Sequence, residues 1–222
     1  MAAGGWAMLY GRTEVRVTTM PGPTRGFTGR RRPPVGHRLP PGQYDVGGEW
    51  PVLTAEATPR STPENASVRI DGLVRQERSW TYDDLQQLPP SAYAGDIHCV
   101  TTWSKFGTTF GGVSLDTLLE LVAPLPTATH VLVESVSGYT TNLPLEHVRG
   151  GRAWIVWTYD GSPLPPEHGG PLRLLVPHLY FWKSAKWVER ITLLDREIQG
   201  FWERNGYHDL GDPWLEQRYQ GD

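Results

Sequence analysis

Residues 152–159 read Arg-Ala-Trp-Ile-Val-Trp-Thr-Tyr and run into Asp160-Gly161. A short apolar stretch rich in aromatic and β-branched residues, closed by a turn dipeptide, predicts a buried strand. Downstream, residues 172–176 and 187–194 predict two more strands. Upstream, residues 129–135 (Thr-His-Val-Leu-Val-Glu-Ser) predict another, and residues 66–71 alternate in character and end at Gly72. Between them lie signals for short helices. Thr81-Tyr82-Asp83-Asp84 is a capping box with Asp in place of Glu or Gln; it turns Leu85 and Leu88 inward, and Pro89-Pro90 ends it. Ser114 caps a second helix, whose Leu115, Leu118, Leu119 and Val122 fall at i, i+3, i+4 and i+7 before Pro124. Residues 143–148 suit one helical turn, and residues 201–219 read as an irregular aromatic tail packed on the surface. The sum is an α+β fold: strands in a mixed sheet, short helices and much irregular chain, rather than a regular βαβ wind.

Composition narrows the function classes. The chain has 222 residues, enough for one domain with appendages. Hydrophobic residues make up 38 %, and no stretch approaches the roughly 18–20 apolar residues of a membrane-spanning helix. A single cysteine excludes an internal disulfide. A net charge of -3 argues against a nucleic-acid binder relying on global basic charge. Residues 1–48 form an Arg-, Pro- and Gly-rich extension, and residues 49–222 the domain proper. Arg30-Arg31-Arg32 is followed by Pro33-Pro34-Val35-Gly36-His37, not by the apolar stretch of an export signal, so a cytoplasmic location is expected.

Two constellations carry chemistry. The cysteine lies in Asp96-Ile97-His98-Cys99-Val100-Thr101-Thr102-Trp103-Ser104, with Gly107, Gly111 and Gly112 close behind. A lone cysteine is ordinarily a small buried hydrophobe; these polar and glycine neighbours read instead as a loop, where a thiol is more often chemical. The second is His168-Gly169-Gly170-Pro171-Leu172-Arg173, followed after a short bridge by Lys183-Ser184-Ala185-Lys186-Trp187. Gly-Gly-Pro lets backbone approach a ligand, Arg173 offers a fork for an anion, and Lys183, Ser184 and Lys186 in a turn make a phosphate cradle. Of 21 basic side chains only Lys105, Lys183 and Lys186 are lysines, and two of them are here. The plainer alternative is a solvated turn with ordinary surface lysines.

In order and spacing, the Cys-Val-x-x-Trp-Ser, His-Gly-x-Pro-x-Arg and Lys-Ser-x-Lys-Trp strings resemble the sulfite-oxidase superfamily of molybdopterin-dependent oxidoreductases. The likeness runs over about residues 50–194. It is greatest to the haem-free bacterial branch that includes the catalytic subunit of a methionine-sulfoxide reductase. The resemblance implies a fold of that type and a cofactor of molybdenum and molybdopterin without a nucleotide. It makes Cys99 the metal ligand and catalytic centre, through a soft thiolate suited to such a metal. It assigns Ser135, His168, Arg173, Lys183, Ser184, Ala185 and Lys186 to cofactor binding, and brings residues 50–54 to the cofactor. It implies oxygen-atom transfer to or from a small substrate and a separate electron-transfer protein, in a monomer or weak homo-oligomer.

Departures are visible. Sulfite oxidases carry arginines shortly after the metal-binding cysteine, where this chain has Trp103, Ser104 and Lys105. Sulfite is therefore disfavoured as substrate. No haem domain is expected, nor the family's immunoglobulin-like domain, since 28 residues follow Leu194. Two other readings remain: a non-enzymatic molybdenum-cofactor binding protein, and a hydrolase or transferase with Cys99 as nucleophile and His168 or His178 as base. A zinc site lacks ligand spacing.

Overall fold

The computed structural model describes residues 38–222; the triple arginine and the prolines after it lie outside them. Two mixed sheets carry the fold. The six-stranded sheet contains β1 (Tyr44–Asp45), β4 (Ser91–His98), β5 (Trp103–Ser114), β8 (Trp154–Tyr159), β9 (Ser162–Pro163) and β10 (Arg173–Leu175). Its path is β1-β5-β8-β10, with β4 on β5 and β9 on β8; β1 alone runs parallel to its neighbour. The five-stranded sheet runs β3-β2-β11-β6-β7, from β2 (Ser67–Gly72), β3 (Arg78–Thr81), β6 (His130–Ser135), β7 (Thr140–Pro144) and β11 (Val188–Leu194). There only β11 and β2 pair in parallel. The helices are short: α1 (Tyr82–Gln86), α2 (Leu115–Val122) and α3 (Phe201–Arg204).

Local chemistry explains the helices. The Thr81 hydroxyl accepts from Asp84 N while the Asp84 carboxylate accepts from Thr81 N, a reciprocal box with the shorter acid. The Ser114 hydroxyl accepts from Asp116 N, and Leu115, Leu118, Leu119 and Val122 are all buried. Residues 143–148 divide: Leu143 and Pro144 finish β7, and only Leu145–Val148 turns, as a single 3-10 turn.

Period-2 alternation divides the apolar residues between two cores. Ile155 of β8, Val113 of β5 and Leu174 of β10 face a main core shared with Ile70, Leu118, Val133 and Ile191. Trp154 and Val156, Phe110 and Leu175 face the opposite side, where a second cluster gathers around Cys99 and Trp103. The six-stranded sheet is buried on both faces, which is why residues 152–159 carry no polar alternation.

Several segments differ from the sequence reading; residues 201–204, for one, form α3 where an irregular tail is expected. Residues 103–114, whose glycines suggested a loop, form the longest strand. Those glycines serve sheet packing: a Cβ on Gly112 would lie 2.0 Å from the Ile155 carbonyl, and the register shifts between Gly111 and Gly112. The described part of the extension, residues 38–48, lies against the domain and contributes β1.

Candidate functional site

Cys99 opens the four-residue turn between β4 and β5, on the second-cluster side. Cys99 N donates to the Trp103 carbonyl at 2.8 Å, Thr102 N returns to the Cys99 carbonyl at 3.0 Å, and Thr102 takes a left-handed φ of 77°. Gln43 Nε2 donates to the Cys99 carbonyl at 3.0 Å, and an Arg218 guanidinium nitrogen donates to that of Val100. The thiol is 8 % exposed. Burial pushes its pKa up, opposed by the Thr101 hydroxyl donating to Sγ at 3.2 Å and by the Arg218 charge. The downstream residues do not open toward it: Trp103 sits in the second cluster, and Ser104 Oγ bonds His98 Nδ1 and Gln43 Oε1.

The His168 segment approaches the same cluster. Gly169 takes a φ of 102° and lies against the Lys186 backbone; a Cβ on Gly170 would stand 2.0 Å from the Leu164 carbonyl. Arg173 is fully buried. Its guanidinium donates to the His168 carbonyl at 2.6 Å and the Ser184 carbonyl at 2.7 Å, and it lies 4.1 Å over the Phe181 ring. Lys186 Nζ donates to the carbonyls of Leu53 (2.8 Å) and Glu167 (2.7 Å). Lys105 Nζ donates to those of Gly47 and Gly48, both at 3.1 Å.

Arg173 and Lys105 are buried and Lys186 is half-buried; all three find carbonyl dipoles, and none has a carboxylate in ion-pair contact among the described residues. A buried charge without a counter-charge is costly. Burial takes Arg173 down to about 9; burial and then Arg173 bring Lys186 down to about 7. His168 is driven down to about 3 by burial, and then by the charges of Arg173, Lys186 and Lys105. Among the described residues no side-chain carboxylate pairs with these three cations, so an anion from elsewhere would suit the cluster.

Ser184 Oγ accepts from Val176 N at 2.9 Å and its carbonyl from Arg173, while the Ala185 carbonyl accepts from Leu174 N. Ser135, at the end of β6, pairs with Val188; its buried Oγ has no partner. Lys183 departs from the cradle reading. It is fully buried, and its ammonium turns to Glu203, Asn142 and Asp209, because the 3-10 turn Phe181–Lys183 points it behind the Ser184–Lys186 stretch. The two lysines of the string therefore do not converge.

A nucleophile–base pair is not assembled. The Cys99 sulfur touches the Thr101 hydroxyl, His168 is stacked on Trp50, and His178 hydrogen-bonds His147 at 3.1 Å. Among the described residues no group of three His, Cys, Asp or Glu side chains could enclose a metal. A metal at Cys99 would take its other donors from a non-protein group. Gln43 and Arg218 escaped the sequence reading because they sit in segments without periodicity; the scarcity of lysine was the one signal marking Lys105.

Residues 55–202 match the family model described as the oxidoreductase molybdopterin binding domain. The chain belongs to that family. It is 39 % identical over 186 residues to the uncharacterized oxidoreductase YuiH of Bacillus subtilis (strain 168), covering 83 % of this chain and 93 % of YuiH. It is 31 % identical over 163 residues to the protein-methionine-sulfoxide reductase catalytic subunit MsrP of Gluconobacter oxydans, covering 65 % of this chain and 52 % of that protein. The sulfane dehydrogenase SoxCD from Paracoccus pantotrophus shares the fold, with a TM-score of 0.59 at 21 % identity over 67 % of this chain and 42 % of that one. The chain thus spans nearly all of YuiH and about half of MsrP. It is a molybdopterin oxidoreductase of the sulfite-oxidase type, with the mixed-sheet architecture expected from the sequence. Among the described residues no helix is long and apolar enough to cross a membrane.

The side chains fit the family's cofactor. A phosphate-bearing group would supply the charge that Lys105, Arg173 and Lys186 lack. The Ser135 Oγ, buried without a hydrogen-bond partner among the described residues, would gain one from a polar ring system.

Proposed function

We propose that the protein transfers an oxygen atom to or from a small substrate at a molybdenum centre ligated by the Cys99 thiolate, exchanging electrons with a separate partner protein. The molybdopterin cofactor, when bound, supplies the two-electron redox chemistry. The chain supplies the setting. Cys99 offers a soft donor on a turn fixed by Gln43 and Arg218, and the Thr101 hydroxyl orients its sulfur. Lys186, Lys105 and Arg173 receive the phosphate, with Ser184 and Ala185 shaping the turn beside it. Neutral His168 meets the pterin end with a ring that can donate or accept, and Ser135 adds a hydroxyl. Trp50, Phe110, Tyr159 and Phe181 wall the site and exclude water.

The observation that carries this reading is the trio of cations, two buried and one half-buried, without an ion-paired carboxylate among the described residues, near the chain's one thiol. With Trp103 in the core, Ser104 hydrogen-bonded and Lys105 committed to the phosphate side, the residues after Cys99 favour a substrate other than sulfite. The test is the metal and pterin content of protein made in a host that synthesises the cofactor. About one molybdenum and one pterin per chain are expected. Protein that carries neither under those conditions contradicts the proposal.

A further inference from the structure

The family match ends at residue 202, and the next residue, Glu203, is completely buried. Its Oε1 accepts from Lys183 Nζ at 2.5 Å, and from Trp182 Nε1 and Thr141 Oγ1, both at 3.1 Å. Lys183 Nζ also donates to the Asn142 carbonyl at 2.8 Å, to Asn142 Oδ1 at 3.0 Å and to the Asp209 carbonyl. Four acceptors surround three N–H groups, so none is left for a ligand.

Neighbouring bonds act on the same stretch. Tyr180 N donates to the Gly211 carbonyl at 2.8 Å, the Tyr139 hydroxyl donates to the Trp182 carbonyl at 2.7 Å, and the Trp182 ring packs edge-on to Tyr207. On the other side, Arg173 and the backbone of Leu174 and Val176 hold Ser184 and Ala185. The Ser184–Lys186 turn is therefore clamped between β10 and residues 197–211.

Resting on the function proposed above, we infer that Glu203, acting through Lys183, is a positioning residue for the Ser184, Ala185 and Lys186 turn, which makes the C-terminal segment a functional part of the cofactor site. The ammonium of Lys183 fixes the backbone one residue before Ser184, and that backbone sets where the Lys186 ammonium and the turn's N–H groups stand. Groups that orient ligand-binding residues from behind typically change affinity or activity by roughly 10–100-fold when removed. Replacing both partners by apolar residues of similar size avoids the stranded buried charge that removing one of them leaves.

The double variant Lys183→Met with Glu203→Leu separates positioning from folding. Loaded protein is diluted, and loss of molybdenum and pterin is followed by elemental analysis and pterin fluorescence, with apo-protein melting measured alongside. The expected result is an apo-protein that folds but melts somewhat lower, since Trp182 Nε1, Thr141 Oγ1 and the Asn142 and Asp209 carbonyls lose partners, and a holoprotein that releases cofactor roughly tenfold faster or more. Release at the wild-type rate from the folded double variant overturns the inference. Should that variant fail to fold, Trp182→Phe removes one donor to Glu203 and leaves the ion pair intact. It is expected to speed release about threefold, and an unchanged rate overturns the inference equally. Wild-type protein that never holds molybdenum or pterin defeats the proposed function instead, a separate result.

Discussion

The Trp50 indole lies flat on the His168 imidazole, with ring centroids 3.7 Å apart and planes 11° from parallel. The contact joins the segment before β2 to the turn before β10. It also keeps the imidazole dry, and desolvation is the largest cause of its lowered pKa. Trp50→Ala removes the stack, about 0.5–1.5 kcal/mol beyond simple area burial, and readmits water. The apo-protein is expected to melt lower, and the His168 ring to titrate closer to 6.5 in NMR. A His168 pKa unmoved by the substitution would show that the three cations, not burial, set it.

Lys183→Ala and Lys186→Ala should behave oppositely. The first strands Glu203 in the interior, and breaking a buried pair costs roughly 3–5 kcal/mol; the expected result is a sharp fall in apo-protein stability. The second removes a half-buried charge that has no carboxylate in ion-pair contact among the described residues. Its apo-protein should melt no lower than wild type, while cofactor retention falls by roughly tenfold or more, the loss of one charge-assisted bond. Melting curves and pterin content on the same preparations decide it; a stable Lys183→Ala protein would contradict the assignment.

Cys99→Ser should abolish turnover with artificial electron carriers while most of the pterin stays bound. A serine oxygen is a harder donor than a thiolate, and the cations proposed to hold the phosphate stand on β5, β10 and the Ser184–Lys186 turn. Activity near the wild-type level would remove Cys99 from the metal's ligands.

Acid should unfold the apo-protein early. His168 and His178 are held neutral, at about 3 and about 4 against an ordinary 6.5. Between those values the unfolded chain binds more protons than the folded one, so stability rises with pH across that window and is lost as pH falls through it. Melting temperatures are expected to decline from about pH 6.5 downward and to level off above it. A flat profile from pH 7 to 4.5 would mean that both rings protonate within the fold.

Two helices and five strands could be read from the sequence because their signals are local: the Thr81–Asp84 box, the Ser114 cap, and the runs at β2, β6, β8, β10 and β11; α3 and the strands β1, β3, β4, β7 and β9 carry no such signal. β5 could not, because Gly111 and Gly112 imitate a loop unless the approach of Ile155 is known. Cys99, His168, Arg173 and Lys186 stood out by residue type and spacing. Lys183 stood out for the same reason and was misread, since nothing in Lys-Ser-x-Lys tells which lysine faces the ligand and which faces a glutamate 20 residues later. Gln43, Glu203 and Arg218 act only through long-range contacts, which no local pattern encodes.

The clip between Lys186 Nζ and the Leu53 carbonyl spans 133 residues. Its consequence concerns the order in which the protein is made. The segment around Trp50 leaves the ribosome long before His168 and Lys186, and Arg218, which braces the Cys99 turn, comes later still. A nascent fragment that stops short of residue 218 lacks part of the proposed binding surface, so on the function proposed above loading of the cofactor would follow the synthesis of residues 43–218.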